Sequence, residues 1–162
     1  MNPCREYVQM VAELGRKNGR PPYTLGYEYI LDHGIEYTSD EIDHKSSKAV
    51  KQKYGCKLKE CYANCQRIVV NPGSGFYYCE GFATCTAGLP LSHAWLVDAC
   101  GKIVDPTWLG SKYKLCGDDY FGIVIPEKFI RKAILKSNVW TELLMEFIWM
   151  QLKKEGKING PQ

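Results

Sequence analysis

The spacing of apolar residues predicts two helices at the start of the chain. Asn2 and Pro3 fit a helix cap and first turn, because asparagine accepts hydrogen bonds from free helix amides and proline has no amide hydrogen to leave unpaired. Apolar residues then recur at helical spacing until Gly19. After a break at two prolines, a second helix is predicted over 25–33, and Gly34 ends it.

The pattern predicts two further helices in the first half of the chain. Ser39 and Asp40 fit the cap of a polar helix that ends near Gly55. A fourth helix is predicted over 60–70, and an Asn-Pro-Gly run ends it. One face of this fourth helix is formed by Cys61, Cys65, Ile68 and Val69.

The middle of the chain changes to short segments rich in aromatic and β-branched residues. They lie at 76–85, 92–99 and 102–104, and turn residues separate them. This pattern predicts a meander of three antiparallel strands. The remaining predicted elements are a strand at 120–125, a helix that Pro126 opens and that ends near Ser137, and a helix over 141–153.

Helices, then strands, then helices is an order typical of an α+β fold. We therefore predict a central antiparallel β-meander with helices packed on it. The 162 residues suit a single domain. Within 1–162 we distinguish a helical N-terminal part (1–55), a core of the fourth helix and the meander (56–125), and C-terminal helices (126–162).

Composition and charge narrow the classes of partner. The formal net charge is +3, from 21 basic and 18 acidic residues, and is too mild to indicate nucleic-acid binding. The lysines between Lys45 and Lys59 are interpreted as a solvated face. No apolar run approaches the ~18–20 residues that cross a bilayer, and the first residues lack the apolar core of a signal peptide. We therefore expect a cytoplasmic protein without membrane contact.

The eight cysteines are expected to be reduced and mostly buried, because the chain does not resemble a small secreted protein. One alternative is a zinc site in which Cys79 or His93 joins Cys56, Cys61 and Cys65. Zinc sites favour compact pairs of cysteines, and this set lacks a second pair of that kind. We therefore expect neither a metal nor another cofactor.

A cysteine nucleophile needs positive potential near its thiolate, an imidazole that accepts its proton, and a polar group that orients the imidazole. Cys61 lies at the predicted start of a helix, where free amides supply that potential. His93 begins the second strand of the meander, and Asp105 ends the third. Cys79 is the alternative nucleophile, although on a strand it lacks the help of a helix terminus.

The turn between the second and third strands decides whether His93 and Asp105 lie on one face of the sheet. With a two-residue loop, Asp105 opposes Leu96 on the face away from His93. With a three-residue loop that ends at Gly101, Asp105 is the diagonal neighbour of His93. A triad with Cys61 therefore requires the longer loop, with Gly101 left-handed, or an equivalent bulge.

These residues also carry a family resemblance. The run HAW at 93–95, followed by VDPTW at 104–108, resembles two strands of the transglutaminase-like superfamily of papain-like cysteine enzymes. The Cys-Tyr-Ala-Asn run at 61–64 and the strand EGFA at 80–83 are similar to motifs of small uncharacterised phage and bacterial relatives. The resemblance covers about residues 56–125.

The resemblance implies a transglutaminase- or papain-like core in which Cys61, His93 and Asp105 catalyse acyl transfer. The reaction would be hydrolysis of an amide, ester or thioester, or transfer of the acyl group to an amine. The substrate would be an unidentified protein, peptide, or amine or acyl compound, and no cofactor would be needed. The alternative is an inactive binding module, such as a phage protein that blocks a host factor, because fold does not fix function.

Four further residues are candidates for substrate binding. Glu80 is a charge in an apolar strand, so it can face solvent, bind a basic or amine-bearing substrate, or orient a catalytic group. Trp95 and Trp108 either wall a cleft or belong to the core. Asn64 lies about one helical turn after Cys61 and is expected to make hydrogen bonds on that face of the helix.

Overall fold

The chain forms helices and strands across residues 1–109 and 117–158, the parts that the computed structural model describes. The α-helices are α1 (Pro3–Lys17), α2 (Tyr23–His33), α3 (His44–Tyr54), α4 (Cys61–Val69), α5 (Glu127–Ser137) and α6 (Leu144–Lys154). The strands are β1 (Ile35–Tyr37), β2 (Tyr77–Thr84), β3 (Pro90–Val97), β4 (Ile103–Val104) and β5 (Tyr120–Ile125).

The strands form an antiparallel sheet in the order β1-β5-β2-β3-β4. The predicted α+β class is confirmed, and β2, β3 and β4 form the predicted meander. β5 lies at its predicted residues and pairs with the other edge of β2, which makes β2 the central strand. The sequence pattern does not predict β1, because three residues are too few for alternation to show.

The sheet has an apolar core on each face. The larger core joins Ala94 and Leu96 of β3 to residues of α1, α4 and α6. The smaller core, on the other face, joins Trp95 and Val97 of β3 to residues such as Tyr120. Successive side chains of a strand point to opposite faces, so β3 serves both cores.

Two glycines permit close packing around the centre of the sheet. Gly81 of β2 pairs with His93 of β3 on one side and with Gly122 of β5 on the other. A Cβ at Gly122 would collide with the ring of Trp95, and a Cβ at Gly81 would collide with the backbone of β5. Gly122 therefore leaves the space that Trp95 occupies beside His93.

Two helices begin later than predicted. Ser39 and Asp40, the predicted cap of α3, lie in a 3-10 turn before it, and Asp43 caps α3 by accepting a hydrogen bond from a first-turn amide at 2.8 Å. α6 begins at Leu144, where the carboxylate of Glu80 accepts the free amide hydrogens. The second cap comes from a distant strand, so local sequence gives no sign of it.

Candidate active site

Cys61 is the first residue of α4 and is partly exposed. Glu60 occupies the cap position, but its side chain makes no capping hydrogen bond. Lys59, just before it, has a left-handed φ of 67°, a conformation that costs free energy for a residue with a side chain. The first turn of α4 is therefore left without a side-chain cap at the position of Cys61, and its amide dipoles favour negative charge there.

The turn between β3 and β4 has the length that the triad requires. Leu96 pairs with Val104, and the amide of Asp98 donates to the carbonyl oxygen of Lys102 at 2.9 Å. Gly101 is left-handed, with φ 82°. The three-residue loop predicted as a condition for the triad is thus confirmed.

This register brings His93 and Asp105 into contact inside the protein. The Nε2 atom of His93 lies 2.7 Å from Oδ2 of Asp105, and both side chains are buried. Since Nε2 is engaged by the carboxylate, Nδ1 is the ring nitrogen left to exchange a proton with another group. The thiol of Cys61 lies beside the His93 ring, close enough to help raise the pKa of that ring.

The carboxylate of Asp105 is fully hydrogen-bonded. Its Oδ1 accepts from the backbone amides of Thr107 and Trp108, each at 2.9 Å, and its Oδ2 accepts from the hydroxyl of Tyr120 at 3.0 Å as well as from His93. Four donors around one carboxylate hold it in a single orientation and stabilise its charge.

The charges of His93 and Asp105 support each other. Burial lowers the pKa of His93, but the charge and hydrogen bond of Asp105, together with a hydrogen bond and charge from Cys61, outweigh it and raise that pKa to about 9. Burial raises the pKa of Asp105, but the charge and hydrogen bond of His93 and the two backbone amides outweigh it, so the pKa falls below its usual range. The pair is therefore an imidazolium and a carboxylate at neutral pH.

Trp108 covers the imidazole. Its ring stacks on that of His93 with 3.8 Å between centroids and 18° between planes, and it remains partly exposed. Trp95 lies deeper, fully buried, with its ring 5.1 Å from that of Tyr120. Of the two tryptophans predicted to wall a cleft or join the core, Trp95 is therefore a core residue, while Trp108 borders the solvent beside His93.

Asn64 ties the start of α4 to the segment that carries Asp105. Its Nδ2 donates to Oγ1 of Thr107 at 3.0 Å and to the carbonyl oxygen of Lys57 at 2.7 Å, and its Oδ1 accepts from the amide of Lys57 at 3.1 Å. The side chain is buried. Asn64 is thus placed to hold Cys61 in register with the His93–Asp105 pair rather than to touch a substrate.

Glu80 has a different role from the substrate contact expected of it. Its side chain is 1% exposed and accepts from the amides of Leu143 and Leu144 at 2.8 Å and from the hydroxyl of Tyr78. Tyr78 in turn accepts from Gln66 at 2.9 Å. The substrate-binding interpretation of Glu80 is therefore corrected, because the carboxylate is enclosed by protein and anchors the start of α6.

Burial raises the pKa of Glu80 to about 7, although the hydrogen bonds from Tyr78, Leu143 and Leu144 act in the opposite direction. A carboxyl group buried in an apolar core loses the hydration that favours its charged form. The group therefore exchanges its proton near neutral pH while it holds the first turn of α6.

The other cysteines lie in different surroundings. Cys79, the alternative nucleophile, is fully buried against the smaller core, and burial followed by the charge of Glu80 raises its pKa well above the usual value. Cys65 is also fully buried, and its Sγ lies 3.5 Å from the carbonyl oxygen of Ala94. Within 1–109 and 117–158, His, Cys, Asp and Glu side chains form no group of three or more that could hold a metal ion. Cys116 lies outside the described residues.

Two residues that contact Asp105 were not predicted from the sequence. The hydroxyl of Ser47, on α3, accepts from the backbone amide of Asp105 at 3.0 Å, and Tyr120, on β5, donates to its side chain. Each comes from an element far along the chain, and no local motif marks either. The only available signal is indirect, since Ser47 is a small polar residue on a face of α3 that packs inward.

Comparison with known proteins identifies no relative of this chain. No family model, no curated protein and no solved structure matches this chain. In the two described ranges, no helix combines the length and the apolar character needed to cross a membrane.

Proposed function

We propose that the protein is a cysteine-dependent acyl-transfer enzyme built on a transglutaminase-like core, with Cys61, His93 and Asp105 as its triad. The observation that carries this proposal is the order of three groups: the partly exposed thiol of Cys61, the buried imidazole whose pKa it helps to raise, and the fully hydrogen-bonded carboxylate that engages Nε2 of that imidazole. A histidine with a purely structural role needs a hydrogen-bond partner at only one of its ring nitrogens. Here one ring nitrogen engages a carboxylate and the ring also lies beside a thiol at a helix start.

The reaction begins with the proton of the Cys61 thiol on Nδ1 of His93, so that a thiolate lies beside the imidazolium that is present at neutral pH. The thiolate attacks a carbonyl carbon of an amide, ester or thioester, and the carbonyl oxygen becomes an oxyanion. The imidazolium then gives its proton to the departing amine, alcohol or thiol, and a thioester on Cys61 remains. Water or an amine attacks the thioester, loses a proton to His93, and releases the product while the thiolate beside the imidazolium is regenerated.

Asp105 supports both proton transfers without taking part in them. Its hydrogen bond to Nε2 keeps a proton on that nitrogen, so Nδ1 is the nitrogen that gives and takes the proton during the reaction. Its negative charge stabilises the imidazolium that each step forms. Trp108 excludes water from one face of the ring, which strengthens these interactions.

The oxyanion would be stabilised by the start of α4. The backbone amide of Cys61 lies in the first turn, where amides have no partner within the helix and no capping side chain. The sequence offers no obvious upstream glutamine as a second donor, so another group of the site would have to assist. No metal or organic cofactor is required for this chemistry.

The proposal is tested by alkylation with iodoacetamide at about pH 6, followed cysteine by cysteine by mass spectrometry. An ordinary thiol is only ~0.3% ionised at that pH and reacts slowly. Cys61 should be labelled fastest, well ahead of Cys100, which is more exposed and serves as an internal reference. The His93→Ala variant should lose this advantage, while continued protection of Cys65 and Cys79 would show that it remains folded.

Labelling of Cys61 no faster than that of Cys100 would contradict the enzyme proposal. It would favour the alternative drawn from the sequence, in which the same fold is an inactive binding module.

A further inference from the structure

A groove lies between α5 and α6, on helices that contribute nothing to the triad. Its volume is about 550 Å³. Apolar side chains form its floor, contributed by Phe129 and Ala133 of α5 and by Trp149 and Met150 of α6. A second hollow of about 330 Å³ continues from it and shares Phe129 and Met150. The two hollows form one apolar channel along the pair of helices.

Lysines line both sides of this channel. Lys128, Lys132 and Lys136 lie along α5, and Lys153 and Lys154 lie near the end of α6. All five are exposed, and none forms an ion pair with any residue in the described part of the chain. Glu146 is the carboxylate that lines the groove. The channel therefore combines an apolar floor with a positive rim.

The positive charge of the rim distinguishes between the possible binding partners of the channel. A second copy of the chain would bring a net charge of +3 and the same lysines, which repel. The stretches 110–116 and 159–162 contain no Asp or Glu, so neither offers the complementary charge. A partner with acidic side chains does.

The shape of the channel favours a helix over a lipid surface. A lipid surface takes up the exposed apolar face of a helix, whereas Phe129, Ala133 and Met150 line a recess between two helices and are partly or fully buried. α5 has 11 residues and is about 16 Å long at 1.5 Å per residue, enough to accommodate two to three turns of a second helix. A helix binds such a groove through apolar side chains at positions i, i+3 or i+4, and i+7.

We propose that this channel binds an amphipathic helix of a partner protein, with an apolar stripe facing Phe129, Trp149 and Met150 and acidic flanks facing the lysines. Desolvation of the apolar stripe supplies the affinity, and the charges set orientation and selectivity. This site is independent of the triad, so either proposal can fail without the other.

The test uses fluorescence anisotropy with a panel of labelled 16-residue peptides. Each carries a leucine stripe in one of the two helical registers, with glutamate at the flanking positions. Matched controls have the same composition in scrambled order, or lysine in place of glutamate. At least one striped acidic peptide should bind saturably, and both kinds of control should bind at least about tenfold more weakly.

Two charge-reversed variants locate the binding surface. Lys132→Glu with Lys153→Glu changes one lysine on each side of the groove and should weaken binding about tenfold or more. Lys45→Glu with Lys48→Glu makes the same change in charge on α3 and should have little effect. All four side chains are exposed, so neither variant is expected to disturb folding.

Three results would overturn the proposal. The first is no saturable binding by any striped acidic peptide, and the second is equal binding by the scrambled peptides, which would indicate charge attraction alone. The third is equal weakening by both pairs of substitutions. Stronger binding to phosphatidylglycerol vesicles than to the peptides would assign the lysines to a lipid surface instead. Concentration-dependent dimerisation that is lost in Lys132→Glu with Lys153→Glu would assign the groove to self-association.

Discussion

The substitution Asp105→Asn should change the ionisation of His93 while it keeps the two backbone contacts that hold Oδ1. Asparagine keeps an oxygen that can accept from the amides of Thr107 and Trp108, but it removes the negative charge beside Nε2 of His93. Burial then acts on the imidazole with only Cys61 opposing it. We expect the pKa of His93 to fall from about 9 to 6.5 or below.

The size of this change follows from the structure. The gap between the usual pKa of 6.5 and about 9 corresponds to roughly 3 kcal/mol of stabilisation of the imidazolium, at about 1.4 kcal/mol for each tenfold change. Because the pKa of His93 is raised by folding, this contribution to stability is fully present below pH 6.5 and is lost as the pH rises through about 9. The variant should therefore lose stability mainly at acidic and neutral pH.

The assay is a two-dimensional NMR titration of the histidine ring signals between about pH 5 and 10. The chain has three histidines, so His93 can be followed beside two internal references. Cys61→Ala should lower the pKa of His93 by less than Asp105→Asn does, since Asp105 is the stronger of the two influences. A titration midpoint that Asp105→Asn leaves in place would show that this carboxylate does not hold the imidazole charged.

Three further changes probe the supports of the site. Folding raises the pKa of Glu80 from 4.5 to about 7, so the wild-type protein should lose roughly 3 kcal/mol of stability as the pH rises from 4.5 to about 7. Urea unfolding of Glu80→Gln should lack this part of the pH dependence, and an unchanged profile would exclude Glu80 as its source. Asn64→Ala removes three hydrogen bonds, so it should lower the free energy of unfolding by roughly 2–4 kcal/mol and slow the alkylation of Cys61. A loss of stability with unchanged alkylation would show that Asn64 does not position the thiol. Gly101→Ala places a side chain at φ 82° with no atom within 4 Å of the new Cβ, so it should lower the free energy of unfolding by about 1–2 kcal/mol through the backbone alone. Gly101→Asn should cost less, because asparagine tolerates that conformation. Equal losses of stability in the two variants would argue against a backbone cause.

Local chemistry made several elements predictable. Asn2 caps α1 by accepting from the amides of Cys4 and Arg5, as its position before a proline indicates. The turn after β3 is also encoded locally, because the side chain of Asp98 accepts from two amides within the loop and Gly101 adopts the left-handed conformation. That turn fixes the register of β3 and β4, and with it the placement of Asp105 beside His93.

Contacts between distant segments were not predictable in this way. Glu80 looks like a misplaced charge in an apolar strand until α6 brings the amides of Leu143 and Leu144 to it. The hydroxyl of Tyr120 reaches Asp105 only because β5 returns to pair with β2. The residue types showed which side chains could do chemistry, but tertiary pairing decided which of them meet.

Formation of an acyl intermediate on Cys61, with help from His93, can be followed with p-nitrophenyl acetate and rapid-quench peptide mapping. An acetyl group should form on Cys61 within the first turnover and should later be lost to water or to added hydroxylamine. His93→Ala should form this thioester far more slowly, and Cys61→Ser should not form it. Acetylation spread over Cys100 and surface lysines, at the same rate in wild type and in Cys61→Ser, would show that Cys61 is not the nucleophile.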